Sequence, residues 1–260
     1  MFFRTTYIKF SMKNFGLVIL GLLFIVGCKE SEPSIKDAQQ IVDKSIEVSG
    51  GDLYTKSSIS FNFRDREYHY ERIDNKKILK RIFKKDSSVV VDIKEPSEFC
   101  RYINDDMVIV PDSLANLYAN SVNSVHYFAH LPYGLNAKAV NKEFLGDVII
   151  KNNDYYKVKV TFTEEGGGDD FDDVYIYWFN KKTFKPDYLA YEFQVNGGGM
   201  RFREAYNERY INGIRFVDYN NYKPKEKNVS IYKIEGLFIN DGLELLSKIE
   251  LENVQVTQLN

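Results

Sequence analysis

Apolar residues recur at helical spacing through Ile35, Ala38, Ile41, Val42 and Ile46, between a loose capping signal at Pro33-Ser34 and Asp37 and a stop at Gly50-Gly51. This stripe predicts an amphipathic helix with one face made to lie on an apolar surface. The pattern then changes to short runs rich in β-branched and aromatic residues: SISFNF, EYHYERI, KILKRIF, SVVVDI and DMVIV, divided by polar turns such as DNKK, KKDS and NDD. These read as strands. Connections so short join antiparallel neighbours and cannot carry the crossovers of a parallel sheet. From Asp112 to His130 helical spacing returns in Leu114, Leu117, Tyr118, Val122, Val125 and Phe128, until Leu131-Pro132 ends it. Strands resume as YYKVKVTF, VYIYWF, DYLAYEFQV, MRFREAYNERYI and IRFVDYNNY, and the chain finishes with NVSIYKI and KIELENVQV. The expected fold is mainly β (α+β). A single curved antiparallel sheet or half-barrel of about eleven strands has an N-terminal and a mid-chain helix covering its concave face, since a sheet this apolar needs cover.

Asn212-Gly213 between two strand-like runs predicts a two-residue type I′ hairpin. Counting back from it, Ile211 faces Ile214, Arg209 faces Phe216, Asn207 faces Asp218 and Arg203 faces Tyr222. Arg201, Arg203, Asn207, Arg209 and Asp218 then share one face. Turned outward, that row is a solvated surface of weak ion pairs; turned into the concavity, it is an anion site. Gly197-Gly198-Gly199 lacks the spacing and the following helix of a dinucleotide cradle.

The N-terminus bears on location. Lys9 and Lys13 precede an apolar run from Phe15 to Val26 that stops at Gly27-Cys28. At about 12 residues the run is too short to span a bilayer as a helix and matches a secretory signal, with Met1 or Met12 as its start. Ile25-Val26-Gly27-Cys28 resembles the lipobox of bacterial lipoproteins, which implies cleavage before Cys28 and lipidation of its thiol. Residues 1–27 are then a signal peptide, 28–33 a lipidated tether and 34–260 one domain. Lys29-Glu30-Ser31-Glu32 resembles the tag that sends some Bacteroidota lipoproteins to the cell surface. The expected location is the outer membrane, on its surface or its periplasmic face. Residues 1–27 hold Arg4, Lys9, Lys13 and no acid, so their loss takes the formal charge from −2 to −5. With no basic block on that background, nucleic acid is not an expected partner. Cys100 has no partner once Cys28 is lipidated, so no disulfide framework is expected.

The candidate chemistry is sparse. Asp169, Asp170, Asp172 and Asp173, in a Gly-rich acidic loop, supply the oxygen ligands a hard cation requires, without the alternating pattern of a calcium loop. A solvated hairpin tip is the competing reading. His126 and His130, four apart, share a helix face as zinc-binding pairs do, but the glutamate of H-E-x-x-H is missing and ring packing near Tyr127 and Phe128 is the plainer account. Cys100 lacks His and acid company, no G-x-S-x-G elbow occurs, and no carboxylate pair stands out for glycoside hydrolysis. No cofactor is expected.

The order of elements, an amphipathic helix ending in Gly-Gly, a meander, a helical segment with Leu131-Pro132-Tyr133 and more meander, resembles the LolA/LolB-like fold of lipoprotein carriers. LPYGL, FLGDV, YYKVKVTF, DDVYIYWF, DYLAYEF and GGGMRFREAYN together resemble an uncharacterised family of Bacteroidota lipoproteins across nearly all of the chain after Cys28. The carrier likeness implies a hollow that accepts acyl chains. Its expected lining is Tyr118, Phe128, Leu131, Tyr133, Trp178 and Phe202, with Arg201 and Arg203 meeting an acidic group. The expectation is a monomeric, non-catalytic, membrane-anchored binder of a lipid or other hydrophobic ligand. The alternative is an interaction lipoprotein whose barrel is filled by its own rings.

Overall fold

The strand-forming runs assemble into two seven-stranded antiparallel sheets, not one sheet, in the computed structural model, which describes residues 1–3, 36–74, 76–167, 171–194 and 197–259. The chain divides into a segment through Ser34 and a unit from Ile35 to Asn260 that holds every element below. The first sheet joins β1 (Ser57–Phe63), β2 (Arg66–Ile73), β3 (Lys76–Lys85), β4 (Ser88–Lys94), β5 (Phe99–Ile103) and β6 (Asp106–Val108) in chain order. The second joins β7 (Val140–Ile150), β8 (Asn153–Phe162), β9 (Val174–Asn180), β10 (Pro186–Phe193), β11 (Gly199–Ile211), β12 (Ile214–Pro224) and β13 (Leu243–Ile249). β14 (Glu252–Gln258) returns to pair with β1.

The division falls inside KIELENVQV, which reads from sequence as one strand. The chain pairs with β12 as far as Ile249, crosses at Glu250-Leu251 and pairs with β1 from Glu252. At the crossing, Leu251 N–H donates to Asp218 Oδ1 at 2.9 Å and Arg209 donates to the Leu251 carbonyl at 2.6 Å. A backbone that changes sheets loses its ladder partners, and these two side chains replace both of them.

α1 (Ala38–Val48) starts at Asp37, whose carboxylate accepts the Gln39 N–H at 2.9 Å, and it buries Ile41 and Val42 completely. α2 (Asp112–Ala129) lays Val122, Val125, His126 and Ala129 on the first sheet. Leu114 and Leu117, part of the predicted stripe, stay exposed at 42% and 61%. A single turn, α3 (Glu164–Gly167), follows β8.

NVSIYKI is not a strand. Ser230 accepts the Tyr232 N–H and starts a 3₁₀ turn (Ile231–Lys233) that runs into α4 (Ile234–Ile239). Ile231, Ile234, Leu237 and Phe238 line one side of this helical segment and cover one face of the second sheet, packing on Trp178, Tyr188 and Phe202. That face is called the back face here. The opposite, front face carries Val158, Tyr177, Phe179, Leu189 and Tyr219 against α1, Leu131 and Leu135. A third core fills the space between α2 and the first sheet, around Tyr54, Ile59, Phe61, Tyr68 and Tyr70.

Candidate functional site

Register alone builds a row of chemistry across the front face. Val160, Tyr175, Tyr191 and Arg201 lie opposite one another on β8 to β11, and Val158, Tyr177, Leu189 and Arg203 form the adjacent row. Opposed residues in a ladder point to the same side. Phe162 and Tyr175 approach at 5.6 Å between ring centroids, Tyr175 and Tyr191 at 5.4 Å, and Tyr191 and Phe193 at 5.9 Å, a continuous band of rings. The last turn of α2 leans on this band. Tyr127 lies 6.2 Å from Phe162 and 6.0 Å from Tyr175, and its hydroxyl shares a 2.8 Å hydrogen bond with that of Tyr177. Burial pushes the Tyr127, Tyr175 and Tyr177 phenols well above their ordinary range; the Tyr127 hydroxyl adds to it for Tyr175 and Tyr177, whereas the hydrogen bond to Tyr177 partly offsets it for Tyr127. These three phenols therefore remain neutral.

Arg203 supplies a cation at its centre. The guanidinium carbon sits 5.0 Å from the Phe128 ring and 5.1 Å from that of Tyr191, and Nη2 donates to the Tyr191 hydroxyl at 3.1 Å. Its Nε is buried and has no hydrogen-bond partner. Arg201 lies 5.1 Å over Phe193 and, among the described residues, donates to its own strand, at the Met200 carbonyl. Among the described residues neither guanidinium forms an ion pair. Arg81 and Arg101 share Asp92, Arg209 holds Asp218, and Arg215 holds Glu208.

The expected register is correct next to the turn and wrong beyond it. Ile211 faces Ile214 and Arg209 faces Phe216, but Tyr206, not Asn207, faces Asp218, and Arg203 faces Asn221, not Tyr222. Asn207 adopts a left-handed φ of 50° and inserts a bulge. One extra residue reverses the alternation of side chains. Arg201 and Arg203 thus share the front face with Tyr219, whereas Arg209 and Asp218 fall on the other side and secure the sheet crossing.

The remaining expected lining residues do not converge. Trp178 and Phe202 sit on the back face, 5.5 Å apart under α4, which rules out their lining a hollow beneath α1 and α2. Tyr118 packs on the first sheet with Arg101 3.7 Å over its ring. Tyr133 stacks on Tyr54 at 4.5 Å in the core of the first sheet, and Leu131 is buried with α1. Only Phe128, Arg201 and Arg203 of the expected set meet. Tyr175, Tyr191 and Phe162 complete the band; their sequence signal is aromatic residues at alternate positions of adjacent hairpin strands.

His126 and His130 do share a helix face, with ring centroids 5.5 Å apart, but their company is Phe61, Tyr68, Tyr54 and Tyr70, not Tyr127 and Phe128. His126 Nε2 meets the Lys80 carbonyl at 3.2 Å, and His126 Nδ1 and His130 Nε2 are buried without partners. His69 lies elsewhere, hydrogen-bonded to Glu67. Among the described residues no three His, Cys, Asp or Glu side chains are grouped to hold a metal. Asp172 is exposed and Asp173 buried; Asp169, Asp170 and Cys28 lie outside the described residues. A cleft of about 80 Å³ on β14, β1 and β2, lined by Ser58, Ser60, His69 and Thr257 among others, has room for a few waters and none of the expected residues.

A family model described as a family of unknown function (DUF6503) matches residues 13–253. No curated protein matches the sequence. Among solved structures, a LolA superfamily protein from Nitrosomonas europaea is similar, with 13% identity, 87% of this chain and 94% of that one covered, and a TM-score of 0.47. A DUF1329 family protein from Desulfovibrio piger is similar too, with 10% identity, 85% and 93% covered, and a TM-score of 0.48. These are likenesses of chain path, and no ligand chemistry is carried over from them.

Proposed function

The chain belongs to the family of unknown function DUF6503, and we propose that it is a non-catalytic, lipid-anchored envelope protein that binds a hydrophobic or amphipathic ligand on the front face of its second sheet. The observation that carries this reading is the band of half-buried rings, Phe162, Tyr175, Tyr191 and Phe193, running across three strands beneath the last turn of α2. Aromatic rings in mutual contact and partly open form a surface on which an alkyl chain gains by leaving water. A chain of about 14 carbons fully buried there is worth on the order of 10 kcal/mol before the costs of ordering and association. The sequence Ile25-Val26-Gly27-Cys28 supports the anchor.

Mass spectrometry of organic extracts of the full chain, purified without added lipid from a bacterial host, tests the binding. A stoichiometric lipid is expected, lost in Ala205→Trp, which fills the front face beside Arg203. A ligand-free extract from folded protein would replace this reading with the self-filled interaction module. That second reading has its own support in the Tyr127–Tyr177 hydroxyl bond and the Tyr54–Tyr133 stack, which occupy space between helices and sheets. Cys28→Ser is expected to abolish incorporation of labelled palmitate and to release the protein from membranes; unchanged labelling would remove the anchor.

A further inference from the structure

We infer that the front face recognises a single-chain amphiphile with an anionic head, a carboxylate or a phosphate monoester, and that Arg203 and Arg201 are the residues that read the charge. The inference deepens the reading above and rests on it. Four other arginines of the unit are paired with carboxylates of the protein itself, Asp92, Asp218 and Glu208. Arg203 and Arg201 have no ion-pair partner among the described residues, although they occupy the face where one would be most needed. Arg203 points into the apolar side of the sheet, opposite Leu189 and Asn221, with Nε buried and unpartnered. A guanidinium so placed has lost part of its hydration, and the rings of Phe128 and Tyr191 and one phenol oxygen replace only a part of it.

The geometry is prepared for an anion that presents two oxygens side by side, as a carboxylate and a phosphate monoester both do. The Tyr191 hydroxyl holds Nη2, and the Tyr191 and Phe128 rings 5.1 and 5.0 Å from the guanidinium carbon restrain the fork. A held fork gives up little freedom when it donates two parallel bonds to one head group. Arg201 stands two residues along the same strand on the same face, its charge added at the end nearer the β10–β11 hairpin. The band of Tyr191, Tyr175 and Phe162 leads away from the two cations across β10, β9 and β8. Charge at one end and rings along the rest match an anionic head with a single hydrocarbon tail.

Calorimetric titration of the full chain with myristate, tetradecyl phosphate, tetradecanol and inorganic phosphate tests this. Myristate and tetradecyl phosphate are expected to bind about 10- to 100-fold more tightly than tetradecanol, the range for charge-assisted hydrogen bonds. Arg203→Gln should remove that preference and leave tetradecanol affinity unchanged, with the thermal midpoint recorded as the check on folding. If that variant does not fold, Arg201→Gln serves, with the same direction and a smaller loss. Equal affinity for the acid and the alcohol, or equal loss of both in a folded variant, would overturn the charge role while sparing the binding face. Inorganic phosphate binding as tightly as tetradecyl phosphate would overturn the amphiphile in favour of a free anion. Binding of none of the chain-bearing probes would overturn the proposed function itself, and the inference with it.

Discussion

Lowering the pH from 7.5 to 5 should destabilise the protein through the two histidines of α2. Burial holds the His126 imidazole down to about 3, partly offset by its hydrogen bond to the Lys80 carbonyl and reinforced by the positive charge of Lys77 and by His69. His130 is driven well below its ordinary value by burial first, then by His126 and Lys77. A folded-state value below the unfolded one, about 6.5, means that the unfolded chain takes up protons first as pH falls. The stabilisation is thus fully present above pH 6.5 and is lost as pH falls towards the folded value. At pH 5 the unfolded His126 gains about 2 kcal/mol from protonation that the folded state cannot match, and His130 acts in the same direction. The assay is urea denaturation at pH 7.5, 6.5, 5.5 and 5.0 for the wild type and for His126→Phe. Phenylalanine keeps a ring among Phe61, Tyr68 and His130 but takes up no proton. The wild-type midpoint should fall by roughly 0.7 M more than that of the variant, for an m-value of about 3 kcal/mol/M. Carboxylates titrate alike in both proteins and cancel in the difference. Parallel pH profiles would show that the imidazole is not held neutral by its surroundings, and the account of α2 as a dry contact would fail.

Three other perturbations test the frame that positions the front face. Asp92→Ala leaves the Arg81 and Arg101 guanidinium groups facing each other where a fully buried carboxylate had bridged them at 2.5 and 2.6 Å, and should cost about 3–5 kcal/mol in chemical denaturation. Lys157→Met strands the Glu235 carboxylate that pins α4 to the back face; the double change Lys157→Met with Glu235→Gln should recover most of the lost thermal stability, and a double variant worse than the single would contradict the pairing. Gly213→Ala forces a side chain onto a φ of +85° and sets a Cβ 2.6 Å from Leu53 Cδ1, for an expected loss of about 1–2 kcal/mol measured by thermal unfolding.

Both long helices and the Asn212-Gly213 turn are legible in the sequence because each rests on a local pattern: a 3.6-residue stripe, a cap, a residue pair suited to positive φ. What the sequence hides follows from contacts made at a distance. β5 is half-buried along its whole length and β7 mixes exposed and half-buried positions, so neither shows the clean alternation that marks a strand with one wet face. The division into two sheets depends on Asp218 and Arg209 holding Leu251, a contact between residues 33 or more positions apart.

Two of these hidden features decide where ligand chemistry can sit. With NVSIYKI read as a strand, nothing remains to cover the back of the second sheet, and every large ring is then assigned to the concave side. The helical segment from Ile231 to Ile239 takes Trp178 and Phe202 out of that set by giving them a cover of their own. The bulge at Asn207 acts in the opposite sense. With all of residues 203–209 in regular alternation and no bulge, Arg203 and Arg209 would share a face and Asp218 would lie within reach of both, leaving a neutralised surface row. With the bulge, the acid stays with Arg209 at the sheet crossing and Arg203 is turned, unpaired, into the aromatic band. A single left-handed asparagine thereby separates a structural ion pair from a cation that has no ion-pair partner among the described residues. Deletion of Asn207 sets Arg203 and Arg209 five positions apart in a regular ladder, which keeps them on opposite faces with their present partners: the corner clamp should weaken in denaturation through loss of the Asn207–Asp218 hydrogen bond, and the preference for an anionic amphiphile should persist. Loss of that preference in a folded deletion variant would mean that the alternation of side chains along β11 does not govern the site.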